Sequence, residues 1–289
     1  MKDMPNIDLH MHSTVSDGTD TPEELLEKVR EAGIRLFALT DHDAVKGCGI
    51  IRGLLRDGDP QLLSGVEFSC RDEEGKYHIL GYGFDPDSAP VRQVMEEGNR
   101  LRMKKLLERL EFLKTAFGFD FPQEEIQSLL ALDNPGKPHI GNLMVKYGYA
   151  ESRDQAIKGY IDKLVLENEH LRPEEAIRSI LLGGGVPVLA HPSFGSGDEL
   201  IIGGELERRL RRLMEFGLQG LEAFYSGFSA KLEEENLCFA DKFRLYVTAG
   251  SDYHGSNKLV RLGDTDLDKV RSVPDGMRRF FERIQYRLA

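Results

Sequence analysis

Short apolar segments alternate with amphipathic ones along most of this chain, and the two periods separate strands from helices. Residues 6–13, NIDLHMHS, alternate apolar and polar positions and read as a strand. A helix follows: Thr21 can cap it, Pro22 takes its first position, Glu24 completes a capping box, and Leu25, Leu26, Val29 and Ala32 supply an apolar face. Gly33 ends it, and residues 35–43, RLFALTDHD, read as the next strand. LLSGVEFS (62–69) and YHILGYGF (77–84) read as strands, followed far downstream by the helix 173–185, the strand 186–192, the helix 205–216 and the strand 220–226. A last helix and strand end at VTAGSDYH (247–254). This alternation predicts an α/β fold with a largely parallel sheet, open or closed. Because the unusual polar residues gather at the C-terminal ends of the strands, where barrel enzymes assemble their sites, a barrel is the favoured form.

Between about residues 98 and 171 the grammar changes. Met103, Leu106, Leu107, Leu110 and Leu113 recur at helical spacing with Lys, Arg and Glu between them, and no strand pattern returns until after Pro173. The segment 98–171 therefore reads as an inserted helical domain, with 1–97 and 172–289 as the barrel.

A chain of 289 residues is long enough for this arrangement. No apolar run approaches the ~18 residues of a membrane span, and a cytoplasmic protein is the default expectation. Cys48, Cys70 and Cys238 are scattered and odd in number, which favours neither a disulfide framework nor a thiolate metal site. The net charge of -11 argues against gripping long duplex DNA, whose affinity comes from Lys and Arg displacing counterions. It does not argue against phosphorylated substrates, since cations bound by clustered carboxylates invert the local potential.

His10 and His12 stand two apart on a strand, so their side chains leave the same face. Alone the pair is weak evidence, and a half-exposed strand edge is the plainer explanation. The weight comes from accumulation: Asp17 in SDG, Asp41 and His42 in TDHD, Glu67 in GVEFS, His78 in HILGYG, His191 in AHP, Glu222 in GLEAF, and Asp252 with His254 in GSDYH. Imidazoles and carboxylates without thiolates suit Zn, Mn or Fe. Gathering so many ionisable groups without a cation would be costly.

In this order the motifs HxHS with SDG, TDHD, GVEFS, HILGYG, LAHP and GSDYHG resemble those of the PHP (polymerase and histidinol phosphatase) superfamily of phosphoesterases, and the resemblance covers nearly the whole chain. The insert lies between HILGYG and LAHP, as in stand-alone members similar to nucleotide phosphatases and RNA-trimming enzymes. The resemblance implies a distorted, TIM-like (β/α)7 barrel with two to three divalent metals. It implies that His10, His12, Glu67 and Asp252 hold one metal, with Glu67 bridging to a second completed by His78 and His191, while Asp17, His42 and His254 hold a third. Many members carry histidine where this chain has Asp17. Asp41 is left between orienting His42, moving a proton and bonding backbone amides, and Glu222 between accepting a proton from a ligand imidazole and lying on the surface.

Within the insert, Lys137 and His139 follow a Pro-Gly turn and open a helical pattern, where positive charge and free amides could meet a phosphate. Related proteins carry a similar basic-Pro-His segment, which implies a substrate contact; solvated surface is the plainer explanation. The resulting expectation is hydrolysis of a phosphate ester by a hydroxide bridging the metals. Asp41, His254 and His139 are the candidate proton donors to the leaving group. The expected substrate is a nucleotide with more than one phosphate, of the 3′,5′-bisphosphate type, or a short 5′-phosphorylated RNA. A histidinol-phosphate-type phosphatase and a non-catalytic metal-binding module are the alternatives.

Overall fold

The computed structural model describes residues 6–166, 170–195 and 199–287. In chain order the elements are β1 (Ile7–Asp8), α1 (Pro22–Glu31), β2 (Leu36–Leu39), α2 (Lys46–Leu54), β3 (Gln61–Asp72), β4 (Gly75–Tyr82), α3 (Ala89–Phe117), α4 (Gln123–Leu130), α5 (Lys137–Lys146), α6 (Arg153–Gly159), α7 (Pro173–Leu182), β5 (Val186–Leu189), α8 (Gly203–Phe216), β6 (Gly220–Tyr225), α9 (Ala230–Phe243), β7 (Tyr246–Gly250) and α10 (Asp275–Arg283). The expected cap of α1 is present, with the Glu24 amide donating to Thr21 Oγ1 at 3.2 Å and the Thr21 amide donating to Glu24 Oε2 at 2.9 Å. Such a reciprocal cap stabilises the helix by about 1 kcal/mol.

The strands form one sheet in the order β1 to β7. Beyond the ends of β1 and β7 the chain closes on itself: the Leu9 amide donates to the Ala249 carbonyl at 3.0 Å, Asp252 to His10 at 2.8 Å and His12 to Tyr253 at 2.8 Å. The result is a nearly closed, barrel-like α/β sheet, as the sequence predicts. The distortion lies at β4, which runs antiparallel to both β3 and β5 while the remaining pairs are parallel. Only Glu73 and Glu74 separate β3 from β4. A connection that short can make a hairpin but cannot hold the crossover a parallel pair requires.

The first strand is shorter than its alternation suggests, because regular pairing stops at Asp8. The HxH segment is nonetheless held extended from both sides. Met11 bridges Tyr253, its amide meets Thr40 Oγ1 at 3.2 Å and its carbonyl accepts from the Thr40 amide at 2.9 Å.

The main core lies between the barrel and its helices and includes Phe68, Tyr82, Val188, Leu221, Val247 and Phe280. A separate apolar cluster joins α3, α5, α6 and the 3-10 turn Ile161–Lys163 through Leu106, Leu113, Ile140, Met144, Ala156 and Ile161. Helix α3 serves both: Val91 and Leu101 belong to the barrel core, and Leu106, Leu110 and Leu113 to the second cluster. Its 29 residues run unbroken across position 98, making a rod roughly 43 Å long. Among the described residues no helix is long and apolar enough to cross a membrane.

Candidate metal centre

Strand ends from the whole circumference deliver side chains to one mouth of the barrel. Glu67, on β3 and 1 % exposed, is their hub. Its Oε1 lies 2.8 Å from His78 Nδ1, 3.3 Å from His10 Nε2 and 3.4 Å from His191 Nε2; its Oε2 lies 3.1 Å from His42 Nδ1 and 3.2 Å from His12 Nε2. Asp252 Oδ1 joins from the β7 end, 3.5 Å from His10 Nε2, 3.4 Å from His12 Nε2 and 3.3 Å from His254 Nδ1. Asp17 approaches His254 Nε2 at 3.3 Å, His12 Nδ1 at 3.8 Å and His42 Nε2 at 3.9 Å. All nine residues that the motifs single out as ligands thus converge.

The contacts are close without being bonded. His10 Nε2, His12 Nε2, Asp17 Oδ1 and Glu67 Oε1 are buried and have no hydrogen-bond partner. Orphaned polar atoms of this kind each cost about 1–3 kcal/mol unless something satisfies them. Two ligands on a tetrahedral ion with bonds of ~2.1 Å stand about 3.4 Å apart, which is the spacing seen around Glu67 and Asp252. Three donor sets lie mutually within 4.8 Å: His12, Asp17, His42 and His254; His10, His12 and Glu67; and His42, Glu67 and His78. The donor set therefore fits divalent metal ions.

The electrostatics carry the same signature. Burial works against a proton on His10, yet Glu222, Glu67 and Asp252 outweigh it and hold its pKa well above the usual imidazole range. His12 is raised to about 9, against burial, by Asp252 and Glu67. Glu67 moves the other way: burial opposes its charge, but His78, His42 and His10 keep it ionised to well below the normal carboxylate range. Asp17 and Asp252 are likewise held low, through His254 and His42 for the first and Lys258 and His10 for the second, again against burial. The site asks for positive charge.

Other residues fix this cluster in place. Glu222 Oε1 lies 3.0 Å from His10 Nδ1 and its Oε2 accepts the His191 amide at 2.8 Å, so it orients one ring and one backbone segment. Metal-binding imidazoles commonly need such an acceptor on the other nitrogen. Asp41 Oδ1 accepts from the Ser13 amide at 2.8 Å and from Ser16 Oγ at 2.7 Å, and its Oδ2 accepts from Ser13 Oγ at 2.7 Å. Of the roles open to it, the geometry favours clamping the 13–16 loop over moving a proton, because both oxygens are taken. His191 and Asp252 have positive φ angles of 27° and 56°. Left-handed backbone costs a non-glycine residue roughly 1–2 kcal/mol and is retained where the surroundings demand it.

In the insert, His139 Nδ1 accepts the Gly136 amide at 3.0 Å, which leaves the ring proton on Nε2. Burial lowers the pKa of this ring and keeps it neutral, with Arg102 adding to the effect and Asp17 opposing it. Lys137 pairs with Asp162 at 2.6 Å. Lys137, Arg102 and Lys105 line, with Asp17, His42 and His78, one open cavity of about 550 Å³.

Several contributors escape the motif reading. Asp8 is fully buried and accepts from Ser251 Oγ at 2.5 Å and from the Gly263 amide at 2.8 Å, tying β1 to the segments after β7. Tyr225 donates to Asp252 Oδ2 at 3.0 Å, and Lys258 contacts both. The signal for Asp8 was its place in the HxH strand, an acid among apolar residues. Tyr225 and Lys258 carry no comparable mark.

Close packing makes Gly250 indispensable. A Cβ there would sit 2.2 Å from His10 Cβ and 2.5 Å from Glu222 Oε1. Gly250→Ala is expected to displace both side chains, costing about 1–3 kcal/mol and most of the bound metal. Thermal melting and elemental analysis read this directly; wild-type metal content in the variant would contradict it.

Comparison with known proteins places these features in a wider set. The model of the PHP domain matches residues 8–181. A 3′,5′-nucleoside bisphosphate phosphatase from Chromobacterium violaceum is 28% identical over 99% of this chain and 98% of its own. A 5′-3′ exoribonuclease from Haemophilus influenzae is 28% identical over 92% of this chain and 96% of its own. Among solved structures, a protein from Bifidobacterium adolescentis provisionally assigned as a metal-dependent phosphoesterase superimposes with a TM-score of 0.82 at 25% identity, covering 98% of both chains.

Proposed function

The chain belongs to the PHP domain family and is a metal-dependent hydrolase of phosphate esters; from that premise we propose that it acts on nucleosides carrying more than one phosphate, of the 3′,5′-bisphosphate type, or on the 5′-phosphorylated end of short RNA. One observation carries the reading: the ring of imidazoles about Glu67 opens into a cavity whose insert side is lined by Arg102, Lys105 and Lys137. Both relatives named above act on phosphorylated nucleosides or RNA, and the match to each extends through the insert.

His10, His12, Glu67 and Asp252 would hold one ion, Glu67, His78 and His191 a second, and Asp17, His42 and His254 a third, with Mn, Zn or Fe suited to these donors. Such ions supply Lewis acidity and lower the pKa of water towards ~7. Glu222 fixes the plane of His10, and Tyr225 with Lys258 holds the outer oxygen of Asp252 so that Oδ1 faces the cluster. The His139 ring, with its proton on Nε2, would donate a hydrogen bond to a substrate oxygen; because His254 is given to the third ion and both oxygens of Asp41 are taken by Ser13 and Ser16, His139 is also the candidate left to return a proton to the leaving group. Lys137 gives the phosphate a cation at the cavity wall.

The test is a panel. Manganese-loaded protein should release phosphate from adenosine 3′,5′-bisphosphate, or mononucleotide from a 5′-phosphorylated trinucleotide, with kcat/KM at least on the order of tenfold above that for histidinol phosphate. A preference for histidinol phosphate would overturn the substrate class and leave the hydrolytic site intact.

A further inference from the structure

Asp17 is the ligand that no strand delivers. It lies in the turn between the HxH segment and α1, whereas Glu67 sits on β3 and the HxH segment is held extended from both sides. Its approaches to His12 and His42, at 3.8 and 3.9 Å, are wider than any about Glu67 or Asp252, and its Oδ1 is buried without a hydrogen-bond partner. The donor set it completes with His12, His42 and His254 therefore depends on whatever fixes residues 14–20. Asp41 fixes one side of that turn, through Ser13 and Ser16.

The 3-10 turn Gly255–Asn257, directly after His254, fixes the other side. Asn257 Nδ2 donates to the Asp17 carbonyl at 2.8 Å, the Asn257 amide to the His254 carbonyl at 3.3 Å and the Ser256 amide to Thr19 Oγ1 at 2.9 Å. Asn257 thus grips the backbone of two residues of the donor set. Its own carbonyl accepts from Arg153 Nη2, and Arg153 belongs to the insert, as the first residue of α6. The arginine stem is held in turn against α5, where a Cβ on Gly141 would stand 2.9 Å from Arg153 Cγ. A bond from a guanidinium to a carbonyl is charge-assisted and stronger than a neutral one. Two hydrogen bonds therefore lead from the insert to Asp17, by a route that avoids the basic wall of the cavity.

We propose that Arg153 is a positioning residue for the third ion: through Asn257 it ties the insert to the Asp17 turn, so that the site of Asp17, His42 and His254 reaches full affinity only with the insert seated on the barrel. The assignment rests on the third ion given to those residues above and adds what holds its least anchored ligand. Metal bonds tolerate errors of about 0.2 Å, so a turn free to drift further loses affinity. Groups that orient a ligand from behind are typically worth about 10- to 100-fold in metal binding.

The experiment titrates the full chain, stripped of metal and checked by thermal melting, with buffered manganese and counts bound ions by elemental analysis. Asp17→Asn identifies the third ion as the one it fails to bind. In Arg153→Met that ion should need on the order of tenfold more free manganese while the others bind as in wild type, and Arg153→Lys should recover part of the loss. Asn257→Ala removes the bond to Asp17 and keeps the carbonyl that faces Arg153. It should lose as much, and the double variant little more than either single one, because two links of one chain fail together. Tyr149→Phe, which loses a bond to the Asp120 carbonyl inside the insert, should match wild type. Hydrogen exchange on metal-free protein gives a second readout: Arg153→Met should speed exchange at residues 14–20 and leave α5 protected. Faster exchange confined to α5 and α6 would make Arg153 a fastening of the insert alone and overturn the proposal, as would wild-type filling of the third site in Arg153→Met. If Asp17→Asn binds as many ions as wild type, the third-ion reading itself fails and the proposal with it.

Discussion

Glu67→Gln is expected to reduce kcat/KM for every phosphate ester by on the order of a thousandfold while the barrel remains folded. The amide keeps the shape of the side chain and removes the one charge that five imidazoles share at 2.8 to 3.4 Å. Loss of a single group that stabilises charge in the reaction is typically worth ~10²–10³, and a residue that would serve two ions at once, as proposed for Glu67, belongs at or above the top of that range. Glu222→Gln is the internal control. It touches His10 and the His191 amide without reaching the hub, so a loss of about 10- to 100-fold is expected there. Steady-state kinetics beside elemental analysis separates the two. If Glu67→Gln kept wild-type turnover with full metal content, the hub assignment would be wrong.

Chelation is the second large effect. Stripping the protein with a strong chelator should bring hydrolysis to background and lower Tm by roughly 5 °C or more, since a ligand present at ~100 times its Kd contributes about 2.7 kcal/mol. The stripped chain should remain folded, because His10 and His12 can take up protons beside Glu67, Glu222 and Asp252 and so offset part of the lost charge. Adding back Mn, Zn and Fe one at a time then ranks the metals by recovered rate. Undiminished activity in protein shown by elemental analysis to be metal-free would remove the basis for a cation-assisted reaction.

What could be read before any coordinates follows from where the information sits. The imidazoles and acids that converge are each short-range features of a strand end, so HxH, TDHD and GSDYH announce them one at a time, and barrel geometry then brings them together. The direction of β4 was recoverable from the two residues between Asp72 and Gly75, but the run of apolar residues says nothing about direction. Asp41 shows the opposite limit: TDHD marks it as chemical, yet only the placement of Ser13 and Ser16 reveals that its oxygens are occupied. Arg102, Lys105 and Arg109 were hidden most completely. Basic residues interleaved with leucines on a long helix look like the wetted side of an amphipathic rod. Only the placement of Ile157, Ile161 and His170 across from it turns that side into the wall of a chamber.

The unbroken course of α3 sets a dimension for this chemistry. One end of the rod is packed into the barrel through Val91 and Leu101 and the other into the second cluster through Leu113, so the guanidinium and ammonium groups between them stand at a gauge fixed by backbone hydrogen bonds. A single residue inserted between 101 and 109 would swing everything beyond it by about 100° and carry the cations out of alignment with the reactive mouth. The reactive mouth would keep its shape while the basic wall turned away from it.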